Sequence, residues 1–574
     1  MSSKIKGYFS FVLHSHLPYV VAHGIWPHGM DWLNEASAET YIPILNSLYK
    51  LKDEGFKPRI TIGLTPILCE QMRNGAFIEG FINYLDNKIA LAEDDKKLFI
   101  EWKSENLIRL SDMWKQFYTD IIVDFKEKYN RDLVNAFKIL QDEGIVEIIT
   151  CAATHGYLPL LSQDYSIENQ VKIGIQNYKK HFQKDPIGIW LPECAYRPAY
   201  NWKNPIFTDE DGYARKGVEE ILNSNGIKYF VIDTHLLMGG EAIGVYAARF
   251  EALKMLWENF KRQYKPPPVD FNKSPYRPYL VSSTSDFESQ VAVFVRDPKT
   301  SIQLWSAEHG YPGDGWYLEF HKKHFPSGHR YWRITSVKSS LGDKLEYVPE
   351  NVESRLVENA GHYKQLIKDI LIDFHHKNDK ELGIVIAPYD TELMGHWWFE
   401  GPRFLYKVLK WVEMDPEIEL TTCGKYLAEF PPINIVHIPE GSWGEGQGHW
   451  IWLNEWTTWT WEKIYEIEKK LKGIFEKYKG NRDDNIRRII LQIERENLLL
   501  QSSDWQFLIS TWAARDYSEN RVAEHFNRIN RLIGILEHYE YNKNLLPEHY
   551  SYLDKLGSTD NIFGAEIEEV LNLK

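Results

Sequence analysis

LGIVIAPYDTELMGHWW (382–398) is the stretch on which the fold turns. An apolar run from Leu382 to Ile386 leads into Pro388, then Asp390, Glu392, a histidine and two tryptophans. A short run that is apolar throughout, not alternating, suits a strand covered on both faces of a parallel sheet. Chemistry-bearing side chains then crowd directly past its C-terminal end.

The same arrangement recurs upstream. Gly7–Leu13 runs into HSHLPYV, Arg59–Leu64 into TP, Ile145–Cys151 into AATHGY, Ile187–Leu191 into PECAY and Ile227–Ile232 into DTH. Helical stretches lie between most of these runs, which predicts βα units. Active sites of (β/α) barrels are built at the strand C-termini. An open doubly wound sheet also binds ligands there, but no Gly-rich phosphate loop follows the first strand. The reading is therefore α/β, with a barrel favoured.

Two excursions interrupt the repeat. Residues 77–142 are helical by pattern, and residues 239–350 are Pro- and Tyr-rich with a strand-like piece at Gln290–Val295. A connection this long predicts a functional loop or a small subdomain. Past Pro431–Pro432, Lys463–Gln501 and Glu519–Glu540 read as amphipathic helices with many i, i+4 charge pairs. The expected organisation is a catalytic domain over 1–425 and a helical domain over 426–574.

Composition narrows the partners. The 574 residues carry a formal charge of −14, which argues against nucleic acid or an anionic membrane and suits a neutral ligand. Four cysteines without CxxC spacing give no disulfide framework and no zinc knuckle. The N-terminal apolar run breaks at His14, so no signal peptide is expected, and no run is long enough for a membrane span. A cytoplasmic protein, monomeric or a small homo-oligomer, is the simplest expectation. Aromatics reach 14% of the chain. Many tryptophans sit in polar, Gly-rich segments such as GSWGEGQGHWIWLNEWTTWTW (441–461), where a ring with an apolar face and a polar edge suits stacking on sugars.

Two acids stand in matching places. Glu193 follows IGIWLP and Asp390 follows IVIAPY, each with a nearby proline (Pro192, Pro388) fixing the turn out of the strand. Retaining glycoside cleavage needs such a pair, one carboxylate to attack and one carboxylic acid to protonate the leaving oxygen. The competing reading makes each a structural acid satisfied by backbone N–H groups. His14 and His16 form an HxH past the first strand and face the same way. They suit either sugar hydroxyls or a metal; with His155, His235 and Asp390 they are similar to the ligand set of amidohydrolase metalloenzymes. That alternative leaves Glu193 and the tryptophans unused. Asp504, in QSSDWQFLIS, reads equally well as a helix N-cap.

Together the segments 14–20, 145–160, 187–198, 387–402 and 441–461 resemble glycoside hydrolase family 57, most closely its α-1,4-glucan branching enzymes. The segments 293–317 and around SDW (503–505) resemble that branch too. The resemblance implies an incomplete (β/α)7 barrel with inserted segments and a C-terminal helical domain closing the cleft, without cofactor or metal. It implies Glu193 as nucleophile, Asp390 as acid/base, and His14, His16 and His155 holding the sugar at the cleavage point. It also implies Trp32, Trp305, Trp397, Trp443 and Trp452 as stacking platforms, with Asp504 reaching in from the C-terminal domain. Tyr276 or Tyr279 is the candidate for a mobile-loop tyrosine covering the cleft. Donor and acceptor would be α-1,4-glucan (amylose, glycogen), and α-amylase or 4-α-glucanotransferase activity would use the same pair. SWGEGQGHW departs from the family's usual TWGEGG at Gln447 and His449, and the region from Gly239 to Phe287 is longer than the family's pattern.

Overall fold

Seven short parallel strands ring the centre of the computed structural model. It describes residues 5–573 except 241–249, 263, 286–288, 307–309, 445 and 447. Gln447 and part of the long region after Gly239 thus lie outside the described residues. The strands are β1 (Gly7–Ser15), β2 (Ile60–Leu64), β3 (Val146–Cys151), β4 (Ile189–Trp190), β5 (Tyr229–Ile232), β6 (Ala292–Val295) and β7 (Gly383–Asp390). Every residue of β1 and β2 is buried, as their unbroken apolar runs require.

The hydrogen-bonded order is β7-β1-β2-β3-β4. Strands β5 and β6 pair in parallel and join this sheet by single bridges, Gly188 to Tyr229 and Arg296 to Ile386. Two seams one bridge wide make the barrel incomplete. At the first seam Gly188 is required, because a Cβ there would lie 2.3 Å from the Tyr229 ring. Two strands differ from the sequence reading. Strand β4 shrinks to two residues, since Pro192 and Glu193 leave it at once. Strand β7 runs on to Asp390 because it pairs with β1 through His14, which sits opposite Asp390.

Residues 77–142 form helices, as their pattern implies: Gly75–Glu101 and Glu105–Val123 pack together, and Leu133–Asp142 leads into β3. Residues 310–350 are mostly irregular and fold beside the strand ends. A buried ion pair from Arg330 to Glu39 (2.9 Å) and a bond from the Leu318 N–H to Glu400 (3.1 Å) hold them. The C-terminal helices include Thr458–Tyr478, Asp484–Leu500, Asp504–Thr511 and Arg515–Asn542. They dock on the barrel through Gly156 bridged to Ser502, Thr154 bonded to Leu498, and His23 bonded to Asp560 at 2.6 Å. No helix among the described residues is long and apolar enough to cross a membrane.

Candidate active site

A cleft of about 800 Å³ opens over the strand ends. Glu193, Asp390, His14, His16, His155, Trp32, Trp397, Trp443 and Asp504 all line it. Residues scattered across nearly 500 positions thus converge because strand C-termini gather at one end of a barrel.

Glu193 sits in the turn that leaves β4 with left-handed backbone, φ 61°. A side chain held there costs roughly 1–3 kcal/mol, a strain typical of functional turns. The turn is over-determined. Tyr196 and Gly441 exchange backbone bonds (2.8 and 3.0 Å), and the Glu193 carbonyl accepts the Trp443 N–H (3.1 Å). The Trp443 indole N–H then donates to Glu193 Oε2 at 2.9 Å.

A hydrogen-bond chain reaches the other carboxylate oxygen. His14 Nε2 and His155 Nε2 are 3.0 Å apart, His155 Nδ1 and Ser503 Oγ 2.8 Å, and Ser503 Oγ and Glu193 Oε1 3.2 Å. Burial lowers both imidazoles well below the usual range, so both are neutral. With Glu193 ionised, one assignment satisfies every link: His14 Nε2–H donates to His155, His155 Nδ1–H to Ser503, and the Ser503 hydroxyl to Glu193. It leaves the bare Nδ1 of His14 as the end of the chain, and that buried atom has no hydrogen-bond partner among the described residues. The nucleophile candidate therefore receives donors on both oxygens, one from the Trp-rich segment and one from the C-terminal domain.

Charge in the cleft is confined. Burial first, then the charge of Asp390, push the Glu193 carboxyl up to about 8, against the pull of the Trp443 N–H. Near neutrality these surroundings therefore hold the Glu193 carboxyl largely protonated. Burial also lifts Glu392 to about 7, although it accepts bonds from the Tyr41 hydroxyl (2.5 Å) and the His16 N–H (3.2 Å). Asp504 behaves oppositely. Burial works against its charge, but the charge and hydrogen bond of His16 (2.9 Å) win, and its carboxyl is lowered.

Not every expected residue reaches the cleft. Trp305 is 1% exposed and packs near Tyr389 behind β7, while its neighbour Leu304 reaches the cleft. Trp452 is wholly buried and stacks on Tyr157 at 4.6 Å. Neither can offer a free face to a sugar. Tyr276 packs on Phe374, bonds Asp297, and accepts the Ile384 N–H near the start of β7, whereas the cleft lies at that strand's end. Tyr279 lies in a strand paired with β6. Both are fixed by these contacts away from the cleft, so neither covers it. Of the tryptophans, Trp397 (37% exposed) and Trp32 present ring surface, while Trp443 is 3% exposed and acts through its N–H.

His235 contacts Asp233 (3.6 Å) and does not line the cleft, so the five-residue metal set is not assembled. Among the described residues of the cleft, His16, His155 and Asp504 alone bring three donor atoms within 4.8 Å. The departure at His449 has a structural use: it bonds Tyr157 (2.8 Å) and Glu440 (2.7 Å), pinning the Trp-rich segment to the loop after β3. Sequence reasoning gave no part to Ser503 or Glu392. The position of Ser503 beside Asp504 in SSDW was the one available hint.

Trp443→Phe keeps the ring and removes the donor to Glu193. Glu193 then loses the interaction that favours its ionised form, so its pKa rises and the acidic limb of the kcat/KM profile moves to higher pH. Turnover at neutral pH is expected to fall about 10- to 100-fold, the range for a bond to a charged group. A pH–rate profile of the variant checks both.

An incomplete (β/α) barrel whose strand ends hold a coupled pair of carboxyls, closed by a helical domain, is a glycoside-cleaving architecture, and the chain belongs to glycosyl hydrolase family 57. That family's description matches residues 10–439, and "1,4-alpha-glucan branching enzyme, C-terminal" matches residues 463–568. The membership sets aside the amidohydrolase alternative. The chain is 40% identical over 549 residues to the 1,4-alpha-glucan branching enzyme of Thermococcus kodakarensis, covering 95% of this chain and 76% of that one. The crystal structure of that enzyme in complex with glucose matches with a TM-score of 0.89 at 38% identity, covering 99% of this chain and 96% of the other. The family 57-type branching enzyme of Pyrococcus horikoshii matches at 0.87 and 38%, covering 99% and 97%. The α-amylase AmyC of Thermotoga maritima matches at 0.78 and 26%, covering 99% of each.

Proposed function

We propose that this chain is a 1,4-α-glucan branching enzyme working by retaining double displacement. The observation that carries the reading is the Glu193–Asp390 pair opening on one cleft, within a family 57 barrel joined to a branching-enzyme C-terminal module. Ionised Glu193 attacks C1 of a glucose unit as protonated Asp390 gives its proton to the departing 4-oxygen. A covalent glucosyl-enzyme forms, and the cut chain's new end leaves. Asp390, now ionised, removes the proton of an incoming glucan 6-hydroxyl, whose oxygen displaces Glu193 and creates an α-1,6 branch. Donors on both oxygens of Glu193 oppose the burial that holds it protonated and so favour the charge that the attack requires. Neutral His14 and His155 and the hydrogen-bonded His16–Asp504 pair would meet hydroxyls of the cleaved unit, with Trp32 and Trp397 as apolar surfaces. The same residues would run an α-amylase if water were the acceptor, or a 4-α-glucanotransferase if a 4-hydroxyl were. The C-terminal module and the branching-enzyme relatives favour the 6-hydroxyl.

Storage-polysaccharide (glycogen) synthesis is the natural setting. The four unpaired, buried cysteines suit a reducing cytoplasm. Incubation with amylose, with and without EDTA, followed by proton NMR and a reducing-end assay, tests the reading. New α-1,6 signals without a matching rise in reducing ends are expected in both conditions. Reducing ends rising without branches would replace it with hydrolysis, and loss of activity with EDTA would give His16, His155 and Asp504 a metal-binding role.

A further inference from the structure

The helix Asp504–Thr511 leads outward from the cleft to a second aromatic feature. Asp504, Phe507 and Leu508 share one face of it and line the cleft. The helix spans about 12 Å and ends at Trp512, whose backbone is left-handed, φ 58°. A bulky residue rarely adopts that conformation. It turns the chain so that Ala513 returns to the cleft wall, while the Trp512 ring stays 50% exposed.

Trp456, from the Trp-rich segment, meets it with ring centroids 5.3 Å apart and planes tilted 39°. The backbone that carries the two rings is well held. The Asn454 side-chain amide donates to the Trp450 carbonyl (2.7 Å) and to Ser510 Oγ (2.9 Å), and its oxygen accepts the Trp456 N–H (2.9 Å). Ser510 Oγ in turn donates to the Ile451 carbonyl (2.6 Å). The two segments are thus held together by partly buried polar contacts, with Trp456 half-buried and the Trp512 ring facing out beside it. Single exposed apolar residues need no explanation; a fixed pair continuous with a ligand cleft does. The nearby Arg515 guanidinium is 5.9 Å from the Trp512 ring and is paired with Glu519 at 2.8 Å, which leaves a surface suited to a neutral ligand.

We propose that Trp456 and Trp512 form a remote glucan subsite. It takes the part of an α-1,4-glucan chain that runs out of the cleft past Phe507, Leu508 and Ala513, and so selects long chains. This rests on the glucan reading of the cleft and adds a site outside the reacting centre. A short oligosaccharide held at the strand ends does not reach it.

The test is calorimetric titration of the full chain carrying Glu193→Gln, which prevents turnover, with amylose and with maltotriose. Trp512→Asn is the added variant, because Asn tolerates the left-handed backbone. Amylose affinity is expected to fall about tenfold and maltotriose affinity to move less than about twofold, the scale of one lost aromatic contact. Tyr541→Ala, on a surface 89% exposed and outside both sites, serves as control and is expected to bind both as the parent does. Unchanged amylose binding in Trp512→Asn, an equal fall for both ligands, or an equal fall in the control would each overturn the subsite alone. Absence of amylose binding by the parent would overturn the glucan reading with it.

Discussion

Glu193→Gln is expected to lower glucan turnover by at least about four orders of magnitude, the scale seen when a covalent nucleophile is removed. Gln keeps the shape: its amide oxygen still accepts the Trp443 N–H and its NH2 donates to the Ser503 hydroxyl, so fold and glucan binding should survive. Stability supplies a second readout. The Glu193 carboxyl is raised from 4.5 to about 8, chiefly by burial, so the folded state prefers it protonated. Its contribution to stability is full below about 4.5 and is lost as pH rises through about 8. The Gln variant escapes that loss. It should melt at a higher temperature than the parent above pH 8, and the gap should close as the pH falls toward 4.5. Thermal melts across that range, beside a reducing-end and branching assay, measure both. Activity within tenfold of the parent would remove Glu193 from the nucleophile's role. A melting gap that does not depend on pH would mean that burial does not set its charge.

Such a trade of stability for chemistry explains which parts of the molecule could be read from sequence. The barrel strands were legible because burial on both faces demands unbroken apolar runs, and β1, β2 and β3 begin and end within two residues of those runs. The C-terminal helices were legible from their amphipathic period. The acids and histidines were legible because a barrel places whatever follows a strand at one mouth. The tryptophans were not. Trp452 and Trp397 sit in equally polar company, yet one stacks on Tyr157 in the core and the other opens to solvent. Only contacts between distant segments separate them. Ser503 was invisible for the same reason: its worth lies in reaching His155 and Glu193, 348 and 310 positions away. Tyr276 and Tyr279 show the converse error, since a tyrosine in a long excursion is as readily a strand or packing residue as a lid.

Asp390→Asn separates the acid's role from the nucleophile's. Without a proton donor, departure of a sugar oxygen slows by about 10²–10⁴-fold, the usual contribution of general acid–base catalysis. An aryl glucoside whose leaving group needs no proton should still form the glucosyl-enzyme, and hydrolysis or transfer from it should then become slow. A burst of released phenol followed by a slow phase is therefore expected from Asp390→Asn and not from Glu193→Gln. The charge on Asp390 also helps hold Glu193 up near 8. Replacing it with a neutral amide lets the Glu193 pKa fall, so the residual first step should be available at lower pH than in the parent. A burst that is absent on activated substrates, or an acidic limb that does not move to lower pH in Asp390→Asn, would assign the acid's role to another group in the cleft. Glu392 is the residue to test next, because it is the other cleft carboxyl that burial holds near neutrality.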